Sequence, residues 1–154
     1  MDIEVRTSLL DEIIKLEPKF DISIALDDLK IILNKAYDDL QAYSKRDPSS
    51  NNDMKYILHT YLSYRAVLYH RVAHAVYSSG AADTARKISE YTKLKTGIEI
   101  HPACNIGRRF VLDHGVGTVI GETTVIGDDC YFLQNVILGA GILPTMIGGK
   151  GIPL

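Results

Sequence analysis

The chain has 154 residues, enough for one domain or two small ones. Its 46% hydrophobic and 23% charged residues are those of a folded protein, and a net charge of −2 argues against nucleic acid or an anionic membrane as a partner. No apolar run approaches the roughly 18–20 residues of a spanning helix. Asp2, Glu4, Asp11 and Glu12 do not fit a signal peptide, so a cytoplasmic protein is expected.

Residues 1–95 are predicted to form an α-helical N-terminal domain. Ile22, Leu26, Leu29, Leu33, Ala36, Leu40 and Tyr43 alternate steps of four and three, which makes one apolar stripe on a helix. Asp21 is its expected N-cap. The helix should end near Ser44, because Asp47-Pro48 disfavours further α conformation. A polar linker from Arg46 to Asp53 precedes a second stripe at Leu58, Leu62, Ala66, Tyr69, Ala73 and Val76, closed by Gly80. A third helix is predicted over Ala82 to Leu94, running up to Gly97. His70 and His74 share one helix face at a spacing that could suit a metal, but no third ligand lies near them in sequence. Hydrogen bonding along that face is the expected role.

Beyond Gly97 the period changes. Ile100, Ile106, Leu112, Ile120, Ile126, Phe132 and Leu138 recur every sixth position with one slip, and four of them precede a glycine. A small or β-branched residue stands four places on in Cys104, Val116, Thr124, Cys130 and Val136, with Phe110 the exception. A period of six fits neither a helix nor an alternating strand; it is the hexapeptide pattern of a parallel β-helix. This unit is predicted over 96–140, with an irregular tail at 141–154. About two turns are too few for a free-standing solenoid, so the coil should lean on the helical domain or on other subunits. Cys104 and Cys130 fall in the small-residue slots and are expected as buried side chains rather than a disulfide.

The slip places two extra residues between Leu112 and Ile120, which bulges out Asp113-His114-Gly115. An imidazole titrates near neutrality, and on a rim loop it can take a proton from a hydroxyl. It needs a carboxylate to hold its ring, and Glu99 lies fifteen residues upstream, about one coil away, with Asp113 beside it. Polar bulge residues bonded to backbone would look the same on spacing alone. His101 is expected at a coil corner in a structural role, Asp47 as a turn residue or cap, and Glu122 in a solvated turn. There is no GxGxxG, P-loop, GxSxG or CxxC motif.

The run from Thr96 through Ile98-Glu99-Ile100-His101-Pro102, then Asn105-Ile106-Gly107-Arg108-Arg109-Phe110-Val111-Leu112-Asp113-His114-Gly115, resembles the serine O-acetyltransferase family. So do Gly117-Thr118-Val119-Ile120-Gly121-Glu122-Thr123, the upstream Arg46-Asp47-Pro48, and Tyr69-His70-Arg71-Val72-Ala73-His74. The resemblance covers about residues 44–140. It implies an α+β fold, a helical domain on a left-handed β-helix, and a homo-oligomer: a trimer through the coils, or a dimer of trimers. It further implies acetyl transfer from acetyl-CoA to the L-serine hydroxyl in cysteine biosynthesis, with no bound cofactor or metal. By the same resemblance His114 falls on the general base, Glu99 on its acidic partner, and Asp47 and Asp113 on the carboxylates that hold the serine ammonium.

After Ala140 the family pattern is lost. The Arg-His-Pro element that grips the substrate carboxylate is absent, Lys150 is a candidate phosphate contact on charge alone, and the isoleucine tail that docks O-acetylserine sulfhydrylase is replaced by Leu154. A chain truncated or divergent after residue 140 is therefore expected, with its CoA-contacting residues unassigned. The alternatives are another hexapeptide acyltransferase, acting on a sugar or amine, and a non-catalytic homologue that serves as an oligomerisation module.

Overall fold

A computed structural model describes residues 2–139; the tail predicted at 141–154, with Lys150, lies outside them. Six helices come first: α1 (Ile3–Ile14), α2 (Leu16–Phe20), α3 (Leu26–Arg46), α4 (Met54–Thr60), α5 (Leu62–Ser78) and α6 (Ala82–Thr96). Asp2 caps α1 by accepting from the Glu4 and Val5 amides at 3.1 and 3.2 Å. Asp21 does not cap the long helix. It ends α2 instead, at φ 51° in the left-handed region that Asp tolerates. Helix α3 starts at Leu26, with Asp27 and Asp28 facing the positive end of its dipole. The second stripe is also split, because Tyr61 adopts an extended conformation (φ −86°, ψ 108°) between α4 and α5.

Leu9, Ile13, Ala36, Leu40, Tyr43, Ile57, Tyr64, Leu68 and Ile88 are among the residues buried where these helices meet. At roughly 1.5–3 kcal/mol per fully buried large apolar side chain, this cluster is a main source of stability.

Gly97 ends α6 in the left-handed conformation, and seven two-residue strands follow: β1 (Glu99–Ile100), β2 (Asn105–Ile106), β3 (Val111–Leu112), β4 (Val119–Ile120), β5 (Val125–Ile126), β6 (Tyr131–Phe132) and β7 (Ile137–Leu138). Strands β1 to β4 each pair in parallel with the strand three further on, giving three faces: β1-β4-β7, β2-β5 and β3-β6. The register records the slip. Ile100 pairs with Ile120, twenty residues on, whereas Ile120 pairs with Leu138, eighteen on. The hexad residues point inward: Ile100, Ile106, Leu112, Ile120 and Ile126 are buried, with Phe132 and Leu138 packed against them. Phe110, the exception in the small-residue slot, is fully buried and meets Phe132 edge-on at 5.4 Å.

Among the described residues, the outer edges of β1, β2 and β3 in the first coil have no strand partner, and side chains from the helices take that place. Ser89 donates to the Ile100 carbonyl at 2.6 Å. Arg71 donates to the carbonyls of Ile106 and Gly107 at 2.5 and 2.6 Å. The Tyr43 hydroxyl bonds the backbone of Leu112. Arg71 is itself held by Asp39 at 3.0 Å, and Asp39 accepts from the Phe110 amide at 2.9 Å. With Ala66 and Val67 of α5 inside the coil's apolar core, the short coil leans on the helices, as its length requires.

Candidate functional site

Asp47 follows α3 and caps the 3₁₀ turn Pro48–Ser50. Its Oδ1 accepts from the Ser49 amide at 2.9 Å and the Ser49 hydroxyl at 2.6 Å, while Oδ2 accepts from the Tyr61 hydroxyl. The Ser49 hydroxyl bond foremost, then Tyr61, holds the Asp47 carboxyl below the usual range, and the same Asp47 bond pushes the Tyr61 phenol up. Asp47 is thus both the predicted turn cap and a wall of a cleft.

Asp113 and His114 sit on the bulge after β3. His114 adopts φ 58°, and Gly115 and Gly117 follow at φ 74° and 76°, a left-handed run that glycine makes accessible. This turn lifts the His114 side chain into solvent, where it is 74% exposed. Its Nε2 lies 4.0 Å from Asp113 Oδ1, too long for a hydrogen bond. Asp113 Oδ2 accepts from the Tyr131 hydroxyl at 2.6 Å, a residue of the next coil.

Asp47, Ser49, Tyr61, Thr96, Asp113 and His114 line one cleft of about 540 Å³ between the helices and the coil. Three of the four residues singled out in the sequence are therefore together, although Asp47 lies far from the bulge along the chain. Glu99 is not among them. Its carboxylate is taken by Lys93 at 2.6 Å and Arg86 at 3.2 Å on α6, and Lys93 foremost holds it below the usual range. Among the described residues, the carboxylate within 4.0 Å of the His114 ring is that of Asp113.

His70, His74 and His101 serve the framework, and His59 is exposed on α4. His74 Nδ1 lies 2.8 Å from the Pro102 carbonyl, His70 Nε2 lies 3.8 Å from the Cys104 thiol, and His101 accepts from the Ala103 amide at 3.2 Å. Among the described residues no group of three or more His, Cys, Asp or Glu side chains is placed to hold a metal ion. No helix there is long and apolar enough to cross a membrane. The two cysteines are free; Cys104 is buried as expected, whereas Cys130 is only half-buried.

Sequence reasoning missed Tyr61, Tyr131, Ser49 and Asp39. Tyr61 carries no turn signal, because neither proline nor glycine marks the break between α4 and α5. Tyr131 does have one: it occupies the outward slot before Phe132, where a large aromatic residue is not needed for the core.

No family profile matches the chain. A serine acetyltransferase of Staphylococcus aureus is 40% identical over 109 residues, which are 71% of this chain and 50% of the relative. The serine acetyltransferase 1 structure of Entamoeba histolytica superimposes with a TM-score of 0.74 at 36% identity, covering 82% of this chain and 47% of that one. The soybean serine acetyltransferase in complex with serine gives 0.68 at 33% identity, covering 73% and 46%. The chain spans about half the length of the curated relatives it matches. Sequence and fold together relate this chain to the serine acetyltransferase family.

Proposed function

We propose that this chain carries the acceptor half of a serine O-acetyltransferase site, on a left-handed parallel β-helix over 96–140 that follows a helical domain at 1–95. The observation that carries the reading is the convergence of Asp47, Asp113 and His114 on one cleft. Two carboxylates suit an ammonium group, and an exposed imidazole beside them can reach a hydroxyl on the same small molecule. L-serine presents both groups on adjacent carbons, and a solved relative is a complex with serine.

In this reading Asp47 and Asp113 hold the serine ammonium, and His114 removes the hydroxyl proton as the oxygen attacks the thioester carbonyl of acetyl-CoA. The tetrahedral adduct collapses with cleavage of the carbon–sulfur bond. The imidazolium returns its proton to the departing sulfur, giving O-acetylserine and free CoA. For Glu99 to orient the imidazole, as the family resemblance implies, its carboxylate has to exchange Lys93 and Arg86 for His114. Assembly of the coils into a trimer completes the proposal.

A free-CoA assay on the purified chain with acetyl-CoA and L-serine tests the reading, alongside His114→Ala. Removal of a general base costs ~10²–10⁴ in rate. Serine-dependent CoA release that falls less than about tenfold in the variant rules out the base assignment. No serine-dependent release by the wild-type chain rules out a complete transferase site in it, and no binding of L-serine rules out the acceptor half.

A further inference from the structure

We propose that Tyr61 and Tyr131 are positioning residues, each holding one of the two cleft carboxylates so that both are already aimed when an ammonium group enters. This rests on the acceptor reading above and deepens it.

The geometry is paired. Tyr61, at the break between α4 and α5, donates to Asp47 Oδ2 and lies 3.2 Å from the Ser49 hydroxyl. With two further bonds from Ser49 to Oδ1, three of the roughly four acceptor sites of Asp47 are filled and its rotation is blocked. Tyr131, opposite Val111 in the β3–β6 pair, reaches across the coil to Asp113 Oδ2 at 2.6 Å. The Arg46 guanidinium lies 5.5 Å from the Tyr131 ring centre and donates to the Asp129 carbonyl at 3.3 Å. The dipeptide Arg46-Asp47 thus touches both phenols.

Tyr61 packs partly against the helical core, but packing accounts for neither hydroxyl. Tyr131 is 38% exposed, and Tyr61 lies partly open at the cleft wall. What their hydroxyls do is chemical. Two carboxylates facing one cleft repel each other, which favours protonation or rotation of one into solvent. A phenolic donor on each disperses its charge and fixes its direction at once. The groups facing Asp47 are Tyr61, His114, Asp113 and Tyr131; all but Tyr131 line the cleft with it, and the Asp47 charge acts on the Tyr131 phenol. Both phenols are pushed up by their carboxylate partners.

The test uses the full chain and the variants Tyr61→Phe and Tyr131→Phe, with carboxyl carbons followed by NMR through an acid titration and L-serine affinity by calorimetry. Thermal melting confirms that each variant folds. Tyr61→Phe is expected to move the Asp47 midpoint upward. L-serine affinity should fall about three- to tenfold in each, the loss of one hydrogen bond, and turnover should show it in KM with kcat nearly kept. An unchanged Asp47 midpoint in Tyr61→Phe, or wild-type serine affinity in both variants, overturns the proposal. A phenol-dependent Asp47 midpoint in a chain that binds no L-serine supports the positioning and overturns the acceptor reading instead.

Discussion

The Tyr43 hydroxyl of α3 donates to the Leu112 carbonyl and accepts from the Leu112 amide, both at 3.0 Å, so one side chain acts as the missing neighbour of β3. The group is fully buried, and burial foremost raises its pKa far above that of an ordinary phenol, so it remains a neutral donor and acceptor. Leu112 immediately precedes Asp113 and His114, so this contact sets where the bulge begins. Tyr43→Phe keeps the ring but orphans two buried backbone groups. Each such group costs about 1–3 kcal/mol. A loss of about 2–4 kcal/mol is expected in urea unfolding, with exchange broadening of the His114 ring resonances; equal stability of the variant would refute the bracing role.

Asp39 and Arg71 form a second brace. Burial pushes the Asp39 carboxyl up, while the guanidinium at 3.0 Å and the Phe110 amide at 2.9 Å favour its charged form. Removing one partner of such a pair leaves the other charge buried alone, at about 3–5 kcal/mol. Asp39→Ala is expected to destabilise the chain by about that amount, and Arg71→Met to free the carbonyls of Ile106 and Gly107 as well. Hydrogen exchange should then speed up at β2 and β3 more than within α1, and uniform acceleration would count against a local brace.

Acid should release Glu99. Its carboxyl is held below the ordinary value of 4.5, first by the bond from Lys93 and then by Arg86. A depressed folded pKa means that the stabilisation is complete above about pH 4.5 and is lost as pH falls through the lower folded value. Melting temperatures of the wild type and Glu99→Gln should differ most above that point and converge in acid. A gap that widens on acidification would reverse the assignment.

The two thiols should separate by reactivity. Cys104 is buried and its thiol is pushed up to about 12 by burial, whereas Cys130 is half-buried at the coil surface. Reaction of the native chain with an aromatic disulfide is expected to label one thiol quickly and the other only on unfolding. Cys130→Ser should abolish the fast phase; its survival would place the exposed thiol at Cys104.

Gly115 should be more sensitive to substitution than Gly80. It adopts φ 74°, and a Cβ there would lie 2.6 Å from Ile98 Cδ1 and 3.0 Å from the Leu112 side chain. Gly80 has φ 96° but open space around it. Both alanine variants carry backbone strain, of order 1–3 kcal/mol. Only Gly115→Ala adds a clash against the coil core, so its melting temperature should fall further than that of Gly80→Ala, and His114 should shift with it.

Much of the architecture was legible from spacing alone, because burial repeats where geometry repeats. The six-residue return of Ile100 through Leu138 is what a coil with three flat sides demands. The eight-residue step at Leu112 fixed the bulge, since an insertion into a paired ladder can only loop out. The helical stripes were readable for the same reason, but the breaks at Asp21 and Tyr61 were not: single residues in unusual φ or ψ leave no periodic trace. The grouping of Asp47 with Asp113 and His114, the diversion of Glu99 to Lys93 and Arg86, and the phenols on both cleft carboxylates were decided only by tertiary structure. Each joins residues from different elements through side-chain directions that the docking of α3, α5 and α6 on the first coil sets, and docking is a long-range property that local spacing does not encode.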